Sequence, residues 1–461
     1  MTSSKAIHRK HLHPKFQLPL VIGLAVIYGI LAYLTSRNDF YTLITLVALS
    51  YLLTFLVLEK TNISFEKLFA LSIIFRLVFL FSIPFLSQDF FRFLWDGELV
   101  VNGLNPYAHT VDSYFETNQY QVVENAALLR EGMGELNAGN YSNYPPLSQF
   151  IYAISAFVAQ GSVLGFVICL RLILISFDVV FVVFAGKLLK RIGLQQKYLF
   201  WYILNPLCIL EITGNLHLEG VMISLFVASV YLIVKHKMLL SSVLLSLSVS
   251  AKLLSLLFFP FLLKYIYSNF KSKTPVNIVS YSGVFAMALA LQFLVFFNPE
   301  TGVNFLSSVG LWFTNFEFNA SIYYLTRWVG YELVGWNIIK YYGMIFPIVF
   351  LVFYSILLVR FKTAIRSLFG LFLVLLTVYF LLSTTVHPWY ILFPLALGVF
   401  TTYRFPVVWS AVVFLSYYAY REGNFQENMM VIGLEYAVVL LTIGYEVYTK
   451  KLSFLRKHPI A

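Results

Sequence analysis

The chain has 461 residues, 60% of them hydrophobic and only 11% charged. A soluble domain carries about 25% charged residues, so the composition excludes a soluble globular protein and predicts an all-α, polytopic membrane protein. The net charge of +11 could serve a nucleic acid, but its distribution along the chain argues against that partner.

The N-terminus is basic (Lys5, Arg9, Lys10, Lys15) and leads into an apolar run with no small-residue cleavage site. It reads as an uncleaved first span. Apolar runs fall at 17–35, 40–58, 67–86, 163–187, 198–214, 220–235, 238–251, 253–267, 275–297, 338–360, 367–385, 389–402, 405–420 and 429–449. They predict a bundle of about 12–14 transmembrane helices, the shortest being half-helices or helices broken around a cavity. With the N-terminus inside, most of the 32 lysines and arginines fall on the cytoplasmic side, among them Lys60, Lys67, Lys187, Lys190, Arg191, Lys271, Lys273, Arg360, Lys362, Lys450 and Lys451. That asymmetry orients a multi-pass protein of the plasma (inner) membrane with both termini cytoplasmic, and it removes nucleic acid as a partner. Cys169 and Cys208 sit inside apolar runs, where they read as small core residues.

Acidic residues gather on the outer side, and so do the segments with chemical potential. The first external segment, 87–162, is long enough to expect a function. It opens with Ser87 as a helix N-cap and Asp89 in the first turn. Asp89, Arg92 and Asp96 share one side of that helix, while Phe90, Phe91, Phe93, Leu94 and Trp95 fill the rest. The pattern predicts a helix lying at the membrane surface, rings among lipid headgroups and charges in a cavity. A Tyr144-Pro-Pro-Leu147 turn then feeds a short apolar helix, 148–160, expected to lie flat on the outer surface. The second external segment is 298–337, with Arg327. The third is a set of turns around His217 and Glu219, Lys252, and His387-Pro-Trp-Tyr390. There is no internal repeat or low-complexity linker, so residues 1–461 read as one membrane domain.

Ionisable residues inside the spans are Arg76, Arg171, Asp178, Glu211 and Glu435. Such charges are costly in lipid and are functional or paired; Arg171 and Asp178, on one face of one span, are expected to serve neighbouring helices. Asp89 is the candidate general base, because a helix N-terminus keeps a carboxylate ionised; a capping role is the plainer alternative. Asp96 lies roughly 10 Å further along, too far for a shared-proton dyad, and either orients Arg92, binds acceptor hydroxyls or caps a turn. His217 with Glu219 makes too few ligands for a metal site; the pair lines a cavity wall or is structural. Lys252 either snorkels or neutralises a lipid-linked phosphate. Arg327 and His387 are similar candidates, and Trp389 with Tyr390 belongs to a site wall or an aromatic belt.

These residues, in this order, resemble the GT-C superfamily of polyprenol-phosphate-sugar glycosyltransferases, and within it the bacterial polyprenol-phosphomannose-dependent mannosyltransferases. The resemblance rests on Asp89-Phe-Phe-Arg-Phe-Leu-Trp-Asp-Gly97, Gly103-Leu-Asn-Pro-Tyr107 and Tyr144-Pro-Pro-Leu147. It continues through Asn205-Pro-Leu207 with Glu211, His217-Leu-Glu219, Lys252 and His387-Pro-Trp-Tyr390. One departure is that the acidic loop follows the third apolar run, which implies two extra N-terminal spans. The resemblance implies a GT-C-like bundle and an acidic base in the first large external loop, here Asp89. The donor it implies is a polyprenyl-phosphate sugar, mannose being the sugar expected. The acceptor would be a glycan, glycolipid or protein hydroxyl, and the active site extracytoplasmic. Substrate-binding roles are expected for Arg92, Trp95, Asp96, Tyr107, Tyr144, His217, Glu219, Lys252, Arg327, His387, Trp389 and Tyr390. No motif calls for a metal or another cofactor. The rival readings are a lipid-linked-sugar flippase, a glycan polymerase or ligase using a diphosphate-linked donor, and a membrane scaffold.

Overall fold

Regular structure in the computed structural model is helical; the described residues are 12–270, 274–360, 364–421, 423 and 425–457. Lys5, Arg9, Lys10, Lys271, Lys273 and Lys362, used above for orientation, lie outside them. Among the described residues the β structure is one isolated parallel bridge, Phe318 with Thr385.

By length and composition, seven helices can cross a membrane: Pro14–Tyr33, Phe40–Lys60, Val163–Arg191, Pro275–Leu294, Ile339–Arg360, Ile365–Leu382 and Met429–Lys450. A bent pair, Cys208–Gly214 and Glu219–Val234, turns by 110° and makes an eighth if it is one span. The remaining apolar runs form shorter helices: Pro146–Ala159, Met238–Ala251, Leu253–Asn269, Pro388–Gly398 and Phe405–Tyr420. Starts follow local chemistry. Asp39 caps the 40–60 helix through Thr42 N–H, and Ser162 caps the 163–191 helix through Gly165 N–H.

The run 67–86 does not cross as one helix. Its helix is Phe65–Leu77, about 20 Å at 1.5 Å per residue, and turns follow. Asp178 serves a neighbouring helix, as expected: Arg76 of the 65–77 helix meets it, Nε to Oδ2 at 2.5 Å, and Arg76 also donates to the carbonyls of Ser72 and Ile203.

Every residue from 202 to 230 is buried, so the broken helix pair forms the centre of the molecule. The 163–191 helix packs along it. Four helices of the 87–162 segment fold onto this centre: Asp89–Val101, Val111–Glu116, Ala126–Ala138 and Pro146–Ala159. The 89–101 helix does not lay its rings among headgroups. Phe90, Phe93, Leu94 and Trp95 are all buried: the 126–138 and 146–159 helices pack on this helix, and the 111–116 helix meets Trp95. Phe93 stacks on Tyr152 at 4.6 Å, and the backbones meet at Gly97, where a Cβ would stand 2.6 Å from the carbonyl oxygen of Tyr152. Gly97→Ala should therefore cost about 1–3 kcal/mol, read as a lowered unfolding temperature in detergent; an unchanged temperature would show that the two helices are not in backbone contact.

Candidate active site

Asp89 is the first residue of its helix. Gln88 occupies the cap position without a side-chain cap, and Ser87, expected as the cap, accepts the Asp89 N–H at 3.3 Å. The carboxylate is 23% exposed and faces a cavity of about 1360 Å³. Asn137 Nδ2 approaches Asp89 Oδ1 at 3.4 Å. His217 Nε2 stands 3.7 Å from Asp89 Oδ2, and His217 Nδ1 stands 3.4 Å from Glu211 Oε2, so the imidazole is flanked by two carboxylates at ion-pair distance, with neither hydrogen bond formed. Glu211 is held in turn by Asn215 Nδ2 at 2.9 Å and the Tyr417 hydroxyl at 2.8 Å. Burial alone would raise the Asp89 pKa, but the His217 contact and the charges of His217 and Lys252 outweigh it, and the net direction is down from the usual 3.8. Asp89 is therefore ionised at neutral pH.

Eight of the thirteen residues singled out from the sequence line this one cavity: Asp89, Tyr144, His217, Glu219, Lys252, His387, Trp389 and Tyr390. Lys252 pairs with Glu219, whose other oxygen is buried with no hydrogen-bond partner in the structure. His387 lies between Trp389, stacked at 4.3 Å, and Phe318, stacked at 4.8 Å. Burial pushes its pKa down to about 3, so it is neutral at physiological pH and brings no charge to a phosphate.

The other five stand apart from the cavity lining. Arg92 donates through Nε to Asp96 Oδ1 at 2.7 Å, and through Nη1 to the carbonyls of Asn137 and Asn140 at 2.5 and 2.9 Å. Asp96 Oδ2 accepts from Ser142 Oγ at 2.5 Å and Gln149 Nε2 at 3.0 Å. Both charges are buried, and together they lash the 89–101 helix to the segment that follows 126–138. Trp95 packs on Tyr114 and Phe115. The Tyr107 hydroxyl donates to the carbonyl of Tyr144 at 2.7 Å, joining the Asn-Pro-Tyr and Tyr-Pro-Pro turns. Arg327 pairs with Glu317 at 2.8 Å and lies over the Tyr324 ring.

Two further buried groups stand behind the cavity. Glu211 sits behind His217; in the sequence it stands out as a carboxylate inside an apolar run, close after Asn205-Pro-Leu207. Arg171, fully buried, donates to the carbonyls of Leu80 and Ser82, just ahead of Asp89, and to those of Thr213 and Gly214, just ahead of His217. One guanidinium thus ties the turns ahead of Asp89 to the end of the helix ahead of His217.

The cavity wall has two characters. One sector carries Lys252 and then apolar side chains, Leu253, Leu257, Phe346, Phe350 and Phe393 among them. The other carries Arg37, Gln88, Asn137, Asn143, Tyr420 and Phe425. Fold and site together define a polytopic helical membrane protein with an ionised carboxylate opening onto a mostly apolar chamber. The profile of a family described as alpha-(1->6)-mannopyranosyltransferase, N-terminal domain, matches residues 20–268. That is more than half of the chain, and the chain belongs to this family. It is also 23% identical over 247 residues, 53% of its length, to alpha-(1->6)-mannopyranosyltransferase A of Mycobacterium tuberculosis. The match spans 45% of that relative, less than half of its length. No solved structure matches the chain.

Proposed function

We propose that this protein transfers a mannosyl group from a polyprenyl phosphate to an acceptor hydroxyl at the extracytoplasmic face of the plasma membrane, with both termini cytoplasmic. Membership of a family described as a mannosyltransferase supports the sugar and the reaction type. The observation that carries the rest is the composition of the cavity around Asp89. An ionised carboxylate, a lysine and a long apolar wall meet in one chamber, as a substrate with a sugar, a phosphate and a hydrocarbon tail requires.

The chemistry is one inverting displacement. The acceptor hydroxyl gives its proton to Asp89 as its oxygen bonds to the anomeric carbon. The bond from that carbon to the phosphate oxygen breaks, and polyprenyl phosphate leaves with the electron pair. A phosphate leaves as a stabilised anion, so no general acid is needed. Lys252 is the cation for it, exchanging Glu219 for the phosphate as the donor enters. His217, flanked by Glu211 and tilted against the Trp389 ring at 4.0 Å, holds the Asp89 carboxylate in place.

The broken helix pair beside the cavity is also a feature of transporters, which makes translocation of the same lipid the second reading. One experiment separates them. The purified full-length protein in nanodiscs is given polyprenyl-phosphate [14C]mannose and a mannoside acceptor. The transferase reading expects radiolabelled mannose in the water-soluble product. Flipping of the donor in liposomes with no product formed would overturn it in favour of the transporter.

A further inference from the structure

Donor and acceptor must both reach Asp89, so the transferase reading, on which this inference rests, requires two subsites in one chamber. The apolar sector with Lys252 suits the lipid-linked donor. The other sector has a different chemistry that a hydrocarbon tail would not use.

Arg37 sits there, on the connection between the 14–33 and 40–60 helices. Its Nη2 donates to Gln88 Oε1 at 2.8 Å, and its guanidinium lies 4.8 Å over the ring of Tyr420. Gln88 immediately precedes Asp89 and is itself anchored by its Nε2 on the carbonyl of Met133 at 2.7 Å. Both contacts to Arg37 are neutral groups, whereas Lys252 faces the carboxylate of Glu219. A guanidinium is a flat fork of five donors, and this one is held by an amide on one edge and an aromatic ring on one face. Next to it, Phe425 meets Tyr420 edge-on at 5.5 Å and remains 55% exposed on the cavity wall. A rigid donor fork beside an exposed ring is complementary to a sugar: vicinal hydroxyls accept from the fork, and the C–H face of the pyranose covers the ring.

We propose that Arg37 and the Tyr420–Phe425 wall form the acceptor subsite, and that its ligand is a carbohydrate. One hydroxyl of a pyranose held there reaches Asp89, one residue from the Gln88 contact. Arg37 thereby determines which acceptor is used, not which donor.

The test is direct saccharide binding, which does not require turnover. Methyl α-mannoside and a mannobiose are titrated into full-length protein in nanodiscs by saturation-transfer NMR, using the wild type, Arg37→Met and Phe425→Ser. Phe425 is exposed, so its replacement does not threaten the fold. The wild type should bind, and each variant should weaken Kd by about tenfold, with a matching rise in acceptor KM and donor KM unmoved. Equal saccharide binding by all three proteins overturns the subsite, and so does a rise in donor KM in place of acceptor KM. If the saccharides bind through Arg37 and Phe425 but no polyprenyl-phosphate sugar is ever consumed, the subsite stands and the transferase reading falls.

Discussion

Asp89→Asn should abolish transfer, with kcat falling by about 100- to 10,000-fold, while the protein still purifies folded. The substitution keeps size and shape and removes only the ability to take a proton. The carboxylate is partly exposed to the cavity, and its Asn137 contact is long at 3.4 Å, so little packing depends on its charge. The pH dependence has a definite sign. Asp89 titrates below the usual 3.8, so the base is fully available at neutral pH, and the acid limb of the rate profile should appear only below that value. The same direction means that its charge stabilises the fold above the unfolded pKa and loses that contribution as pH falls through the folded one. Turnover retained in Asp89→Asn would remove the residue from the mechanism.

Arg92→Met should act on stability. Arg92 and Asp96 are both buried, and removing the cation leaves Asp96 charged and held only by Ser142 and Gln149. Breaking such a pair from one side costs about 3–5 kcal/mol. The carbonyls of Asn137 and Asn140 lose their donor as well. The segment that bears Asn137, the neighbour of Asp89, then loosens, so the variant should show a lower unfolding temperature and faster proteolysis of the 126–145 region. A normal unfolding temperature with a raised donor KM would instead give Arg92 the substrate-binding role that the resemblance implies.

The class and the carboxylate that opens onto the cavity were legible because each rests on a local signal. Apolar runs define a membrane protein, and Asp89 heads a helix in a long acidic segment. Lys252, His217, Glu219 and His387 were legible as polar residues at breaks between apolar runs. The amphipathic reading of 89–101 misled, because a face of rings looks the same whether lipid or protein covers it, and here the 126–138 and 146–159 helices do. That Asp178 and Arg171 serve neighbouring elements was legible from two charges inside one span; which partners they take, Arg76 for Asp178 and four carbonyls for Arg171, depends on the fold. Past the early end of the 65–77 helix, that same arginine donates to the carbonyls of Leu80 and Ser82 in the turns that follow. Arg37 carried no signal beyond its charge; only the fold sets it beside Gln88 and Tyr420.

The central claim is that a lipid-linked sugar is consumed at Asp89. Mass spectrometry of membrane lipids from cells lacking the gene tests it most directly. The account predicts that mannosyl polyprenyl phosphate accumulates, that the wild-type gene clears it, and that the Asp89→Asn allele, expressed at the same level, does not. A lipid-linked sugar pool that stays at its normal level after deletion, or that the Asp89→Asn allele restores, would contradict it.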